Sequence, residues 1–265
     1  MNISKETIKR LAIDAKSLIT NPLNEENIYY KHDENNVLIG YAMIIGPENT
    51  PYSYGYYFFK FIFPYNYPFQ PPEVIYLTND GSTRFNPNLY TYANNGKVCL
   101  SILNTWNGEG WSSCQTIRSI LLTLVTVLNE TPLLNEPGIN QPNKNIDLYN
   151  EFISYKNIEF SIIKQIEYLK DIENDITKDN TKDNQKIIYK IKESNNHFYT
   201  IYLFSDIIKF TFNSNYNNIL NLIEDMDKKY KNKSTTLYVS TYNLTSLINT
   251  SSLKTNFTKI NFSKN

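Results

Sequence analysis

Apolar side chains recur at Ile8, Leu11, Ala12, Ala15 and Leu18 within SKETIKRLAIDAKSLI, the three-to-four spacing of one helical face. Ser4 stands before that stripe as an N-cap and Asn21-Pro22 follows it as a stop, so the spacing predicts a first helix between them. The pattern then changes. NIYYKHD, NVLIGYAMIIG, YGYYFFKFIF and EVIYLT are rich in Tyr, Phe, Val and Ile and are parted by turn residues at 33–36 and 47–51, which predicts strands. Their short connections favour an antiparallel meander over a parallel sheet. Residues 79–109 show no clear period. SSCQTIRSILLTLVTVL then predicts a helix, with Ser112 as N-cap, Gln115 closing a capping box and Cys114 in the first turn. NIDLYNEFISYKNIEFSIIKQIEYLKDI predicts one long amphipathic helix or two consecutive ones.

The tetrapeptide repeat TKDNTKDN predicts a linker over 176–184, exposed enough to be the first site a protease cuts. Beyond it, KIIYKIK, HFYTIYLF, IIKFTF and TLYVSTY have strand composition, and NNILNLIEDMDKKY has a helical stripe between the last two. The expected organisation is therefore an α+β core over 1–175, the linker, and a separable small α+β extension over 185–265.

Composition narrows the setting. Hydrophobic residues make up 41% of the 265, enough for a substantial core. Two cysteines cannot form a disulfide framework, and the Cys99–Cys114 spacing fits no zinc pattern, so neither a metal site nor an oxidising compartment is expected. MNISKETIKR is charged from the start and lacks an apolar signal core, and SILLTLVTVL is too short to span a bilayer. These features predict a soluble cytoplasmic or nuclear protein with no membrane partner. Residues 1–175 carry 13 Lys and Arg against 19 Asp and Glu, a net −6, while 176–265 carry 13 against 7, a net +6. That split suggests two units with different surfaces. Lysines on a small unit ordinarily form a solvated face, so no nucleic-acid partner is inferred. Asn, Ile, Lys and Tyr are abundant throughout, which accounts for the C-terminal Asn-x-Ser/Thr triplets without glycosylation.

The chemistry gathers in NPNLYTYANNGKVCLSILNTW. A cysteine is most often a small buried hydrophobe, and that reading of Cys99 stays open. Yet Cys99 follows Gly96 and Lys97 in a turn-rich stretch where a sulfur can meet solvent. Upstream, Asn86-Pro87-Asn88 forms a rigid polar turn, and an asparagine amide can stabilise an oxyanion. A cysteine hydrolase needs an imidazole base. The chain offers only His32, in the KHDENN turn, and His197 in the tail, both expected at the surface. A thiolate without a histidine suits thioester exchange.

GPENTPYSYGYYFFKFIFPYNYPFQPPEVIYLT, RFNPNLY, GKVCLSILNTW and WSS ahead of a helix stand in the order found in ubiquitin-conjugating enzymes. From Ile3 to Ile172 the chain resembles that family, its larger Z-type members above all. The resemblance implies the family's fold, with an N-terminal helix, a four-stranded antiparallel meander and C-terminal helices. It implies an acyltransferase in which Cys99 alone accepts ubiquitin or a ubiquitin-like modifier as a thioester from an activating enzyme. Transfer to a lysine of a protein substrate follows, with or without a ligase. No cofactor is implied, because the activating enzyme uses the ATP.

By the same resemblance Asn88 stabilises the oxyanion, and Asn86, where a histidine is usual, shapes the turn with Pro87. Lys9 and Arg10 would meet the activating enzyme. Phe69, Ser113 and Cys114 fall on the loops that dock a ligase, with Ser113 replacing a common proline. Ser101 and Glu136 fall near the positions that orient or deprotonate the attacking lysine. The Asn88–Cys99 segment is longer than usual, and its TYA either bulges outward or loosens the oxyanion hole. Beyond Lys178 no counterpart is apparent. A weak or inactive binding module on the same fold is the alternative, and the presence of Cys99 argues against it.

Overall fold

The computed structural model describes residues 3–178, 184–230, 234–260 and 262. Helix α1 (Lys5–Thr20) begins where Ser4 accepts a hydrogen bond from the Thr7 N–H, satisfying a donor that every helix start leaves open. Its buried face runs through Thr7, Leu11, Asp14 and Leu18, while Ile8 is exposed. The stripe is rotated from the apolar positions because two polar side chains are tied down beneath it. Thr7 Oγ1 donates to the Tyr67 carbonyl (2.8 Å) and the Tyr67 hydroxyl donates to Asp14 (2.6 Å).

Strands β1 (Ile28–His32), β2 (Ile39–Ile45), β3 (Tyr56–Ile62) and β4 (Glu73–Tyr76) form a four-stranded antiparallel meander in chain order. Both faces of the central pair are covered. Ala42, Ile44, Tyr57 and Phe59 join one core with helix α2 (Ile117–Val127), and Tyr41, Met43, Ile45, Tyr56 and Phe58 join a second. Burial on two faces explains why these strands are apolar almost without alternation.

Helix α2 is capped by Thr116, not Ser112. Thr116 and Ser119 make the reciprocal bonds of a capping box. Residues 112–115 stay out of the helix because Arg10 takes the Ser113 carbonyl (2.8 Å) and the Gln115 carbonyl as its own acceptors. Cys114 therefore lies in an exposed turn before the helix. Helix α3 (Asn145–Lys156), a π-helical stretch (Asn157–Lys164) and helix α4 (Gln165–Lys178) follow without a break. The wide turn admits Asn157, which accepts from the Tyr57 hydroxyl (2.7 Å) and donates to the Ser53 carbonyl (2.9 Å).

The C-terminal extension contains α5 (Asn184–Ser194), α6 (Asn196–Leu203), α7 (Ser205–Tyr230), β5 (Thr235–Val239), β6 (Leu244–Ile248) and α8 (Thr250–Lys259). KIIYKIK, HFYTIYLF and IIKFTF, expected as strands, are helical. In the last two the buried residues are His197, Thr200 and Ile201, then Ile208, Thr211 and Phe212, a three-to-four spacing that strand-rich composition concealed. TLYV is a strand as expected, but its hairpin partner LTSLI and helix α8 were not anticipated. The expected linker lies largely at 179–183, outside the described residues, and the boundary set at 175 falls inside α4.

Residues from α4, α6, α7 and α8 cover the outer face of the sheet, and Val239 and Leu244 of the hairpin enter the inner core beside Tyr149 of α3. The extension is thus packed on the core through both of its faces. Among the described residues, no helix is long and apolar enough to cross a membrane, and no group of three or more His, Cys, Asp or Glu could hold a metal ion.

Candidate active site

The 86–88 turn and the strand-like stretch before Cys99 form a short ladder. Cys99 N–H donates to the Asn88 carbonyl (2.8 Å), and Asn88 Nδ2 donates back to the Cys99 carbonyl (2.7 Å). Leu89 bridges Val98, and Tyr90 N–H reaches the Lys97 carbonyl (2.9 Å). The added residues lie at the far tip of this ladder. There Tyr92–Asn94 make an exposed 3₁₀ turn closed by Asn95 and Gly96 in left-handed backbone. Gly96 is required, since a Cβ there would lie 2.4 Å from the Tyr76 carbonyl. Residues 91–94 bulge outward and leave the Asn88–Cys99 pair closed.

Asn86 holds the turn from within. Fully buried, it donates from Nδ2 to the Tyr52 hydroxyl (2.8 Å) and the Val127 carbonyl (2.7 Å), and its Oδ1 accepts from Asn88 N–H (2.9 Å). Such complete pairing is what a buried amide needs. Asn88 is also buried, and its Oδ1 has no partner among the described residues. Past Cys99, Thr105 Oγ1 accepts from Leu100 N–H (2.9 Å) and donates to the Val98 carbonyl (2.8 Å), fixing the backbone on both sides of the thiol. Ser101, half-buried, opens the 3₁₀ turn Ser101–Leu103.

Cys99 is only 3% exposed, so it sits deeper than the freely exposed residue its turn-rich surroundings suggest. Burial pushes its thiol above the ordinary value, while Lys97, Arg84 and a hydrogen bond from Tyr90 pull it back. Arg84 donates to the carbonyls of Asn86 (3.1 Å) and Pro87 (2.7 Å), and its guanidinium lies 3.2 Å from the centre of the Tyr90 ring. On its other side it approaches Tyr242, from the β5–β6 turn, at 5.5 Å. Tyr242 in turn donates its hydroxyl to Glu136.

Residues 10–157, more than half of the chain, match the family model described as ubiquitin-conjugating enzyme. The chain belongs to the ubiquitin-conjugating enzyme family. It is 36% identical over 167 residues to ubiquitin-conjugating enzyme E2 Z of Xenopus tropicalis, covering 62% of this chain and 52% of that protein. Human E2 Z is 43% identical over 130 residues, covering 48% and 36%. The human dual E2 ubiquitin-conjugating enzyme/E3 ubiquitin-protein ligase BIRC6 is 46% identical over 140 residues, covering 49% and 3%. The chain spans about half the length of the Xenopus relative it matches.

Two loops of this family member meet beside α1. Trp111 Nε1 donates to the Pro68 carbonyl (2.6 Å), which sets the 111–114 turn against the turn that carries Phe69. Phe69 is 72% exposed, and Ser113 and Cys114 are exposed as well. Lys9 is exposed, whereas Arg10 is committed internally to Asp14 (3.0 Å) and the 113–115 carbonyls.

Neither histidine lies where it was expected. His197 is buried, bonded to Gln165 Oε1 (2.8 Å), and burial lowers its pKa to about 3. His32 is half-buried between the Tyr30 hydroxyl (2.7 Å) and the Val37 carbonyl (2.8 Å). Among the described contacts, neither touches Cys99. Sequence reasoning missed Arg84, Tyr90, Thr105 and Tyr242. The first three stand within or beside the quoted motif, but nothing local marks Tyr242.

Proposed function

We propose that Cys99 receives ubiquitin or a ubiquitin-like modifier as a thioester from an activating enzyme and transfers it to a lysine of a protein substrate, with or without a ligase. The observation that carries this reading is the reciprocal pair between Asn88 and Cys99, which fixes a thiol beside an amide donor with no imidazole in contact. In the first step the Cys99 thiolate attacks the incoming thioester carbonyl, and the activating enzyme's thiolate leaves. Sulfur replaces sulfur, so no strong base is needed. In the second step a lysine amine attacks the carbonyl on Cys99 and the Cys99 thiolate departs.

Each attack builds an oxyanion. Asn88 Nδ2 has a second N–H beside the one on the Cys99 carbonyl, and it supplies the donor. Its anchored backbone supplies the preorganisation that makes such a donor effective. Ser101 and Glu136 serve the acceptor side. Phe69, Ser113 and Cys114 form the ligase-facing surface, and Lys9 with the N-terminal half of α1 faces the activating enzyme. ATP is used by that enzyme, and this chain needs no cofactor of its own. Two free cysteines suit a reducing cytoplasmic or nuclear setting.

Incubation with activating enzyme, ATP and ubiquitin, resolved on a non-reducing gel, tests the reading. A dithiothreitol-labile adduct on the wild-type chain supports it. No adduct with any ubiquitin-like modifier, under conditions that charge another family member, contradicts it.

A further inference from the structure

Two loops converge on the Val127 carbonyl at the end of α2. Asn86 Nδ2 donates to it at 2.7 Å and Asn135 Nδ2 at 3.3 Å. The Glu136 turn is thereby set against the turn that carries Asn88. A third segment arrives from the extension. Tyr242 and Asn243, in the β5–β6 turn, adopt φ of 67° and 51°, backbone that a bulky residue seldom takes unless its surroundings enforce it.

The surroundings are explicit. Val239 and Leu244 are buried on either side of the turn. Asn145 of α3 donates to Thr241 Oγ1 (3.3 Å) and accepts from Ser240 Oγ (3.3 Å). The turn so held aims the Tyr242 ring inward, 6.2 Å from the Tyr149 ring and over the Arg84 guanidinium, with its hydroxyl on Glu136 Oε2. Burial and the neighbouring carboxylate raise the Tyr242 phenol pKa, so it remains a donor at neutral pH.

We propose that Tyr242 is a positioning residue for the acceptor step, holding the Glu136 carboxylate on the acceptor side of Cys99, so that the C-terminal extension completes the active site. The inference rests on Cys99 being a thioester carrier and on Glu136 serving its acceptor step. A lysine reaches the site as an ammonium ion. Glu136 takes one proton from it and passes that proton to solvent, the freed amine attacks the thioester carbon and forms the C–N bond, and the C–S bond breaks as the attacking nitrogen gives its second proton to the departing Cys99 sulfur. A glutamate on an unsupported loop loses side-chain freedom each time it performs this task. The phenol removes that freedom in advance.

The test uses the full chain charged to the same level as wild type, Tyr242→Phe, Glu136→Gln and the double variant. Discharge is followed in single turnovers against free lysine and against hydroxylamine, a nucleophile already uncharged at neutral pH. The lysine-to-hydroxylamine rate ratio of Tyr242→Phe is expected to fall about 5- to 20-fold, part of the 10²–10⁴ that positioned acid–base groups contribute. The double variant should be no slower than Glu136→Gln, because Tyr242 acts through that carboxylate. An unchanged ratio in Tyr242→Phe, or losses that multiply in the double variant, overturns the proposal. Glu136→Gln carries the comparison with every residue of the extension unchanged, and an unchanged ratio there overturns it too. A wild-type chain that fails to charge contradicts the thioester reading itself, a different outcome from a charged chain with unaltered ratios.

Discussion

Replacing Asn88 with alanine removes an amide that does two things at once, and the two separate in magnitude. Its Nδ2 bond to the Cys99 carbonyl is buried, and leaving such an acceptor unpaired costs about 1–3 kcal/mol. For a chain of this size each kcal/mol lowers the melting temperature by roughly 2–4 °C. The melt should therefore drop by several degrees without abolishing the fold, since Asn86 and Thr105 still anchor the neighbouring backbone. The loss in chemistry should be larger. One oxyanion donor is typically worth about 10²–10³ in rate. That loss falls mainly on aminolysis, where a poor nucleophile must build the full tetrahedral charge, whereas thiol exchange has the easier barrier. Asn88→Ala should still charge with ubiquitin and then discharge to free lysine about 10²-fold more slowly. Charging is read by non-reducing gel, discharge in single turnovers after the activating enzyme is quenched, and stability by thermal melt. Wild-type discharge, or charging and discharge that fall by the same factor, would mean that Asn88 only shapes the loop.

Three further outcomes follow from the structure. His197 stays neutral when buried but protonates near its ordinary pKa once unfolded, so its contribution is complete above about pH 6.5 and falls as pH drops toward about 3. At about 1.4 kcal/mol per pH unit the loss approaches roughly 2 kcal/mol by pH 5; denaturant titrations should show a shallower acid slope in His197→Asn, and equal slopes would contradict the burial argument. Iodoacetamide should label exposed Cys114 well before Cys99, and Tyr90→Phe should move the pH midpoint of Cys99 alkylation upward by removing a bond that favours the thiolate. Peptide mapping reads both, and a midpoint that is unmoved or lower refutes the Tyr90 contact. A chain ending at Asp175 strips Tyr41, Tyr56 and Phe58 of their contacts with Tyr199, with Ile208 and Thr211, and with His197, so it should aggregate or bind a hydrophobic dye; a monodisperse, charge-competent product would show that the extension is dispensable.

The sheet and the first helix were legible because their burial is written in local pattern. Ser4 marks the helix start, and unalternating runs such as YAMII and YYFF mark strands covered on both faces. The second layer on those strands, built by the π-helical stretch, α4 and the extension, was not anticipated. The extension's own helices were not legible, since Ile, Tyr and Phe are plentiful enough to give helical segments a strand-like composition. Asn88 and Cys99 could be found because the motif that joins them lies within one short ladder. Tyr242 reaches Glu136 across 106 positions, and no local signal distinguishes that tyrosine from others in the tail. His197 gave the appearance of a surface residue because its burial comes from sequence-distant partners, Gln165 and the rings of Phe58 and Tyr168.

The central claim is that Cys99, and not Cys114, carries the modifier. Charging wild type, Cys99→Ser and Cys114→Ser with activating enzyme, ATP and ubiquitin, followed by intact mass and peptide mapping, addresses it directly. Wild type and Cys114→Ser should each gain one dithiothreitol-labile ubiquitin. Cys99→Ser should instead trap a reductant-resistant ester at position 99. A dithiothreitol-labile adduct that persists in Cys99→Ser, or that disappears only in Cys114→Ser, would contradict the account.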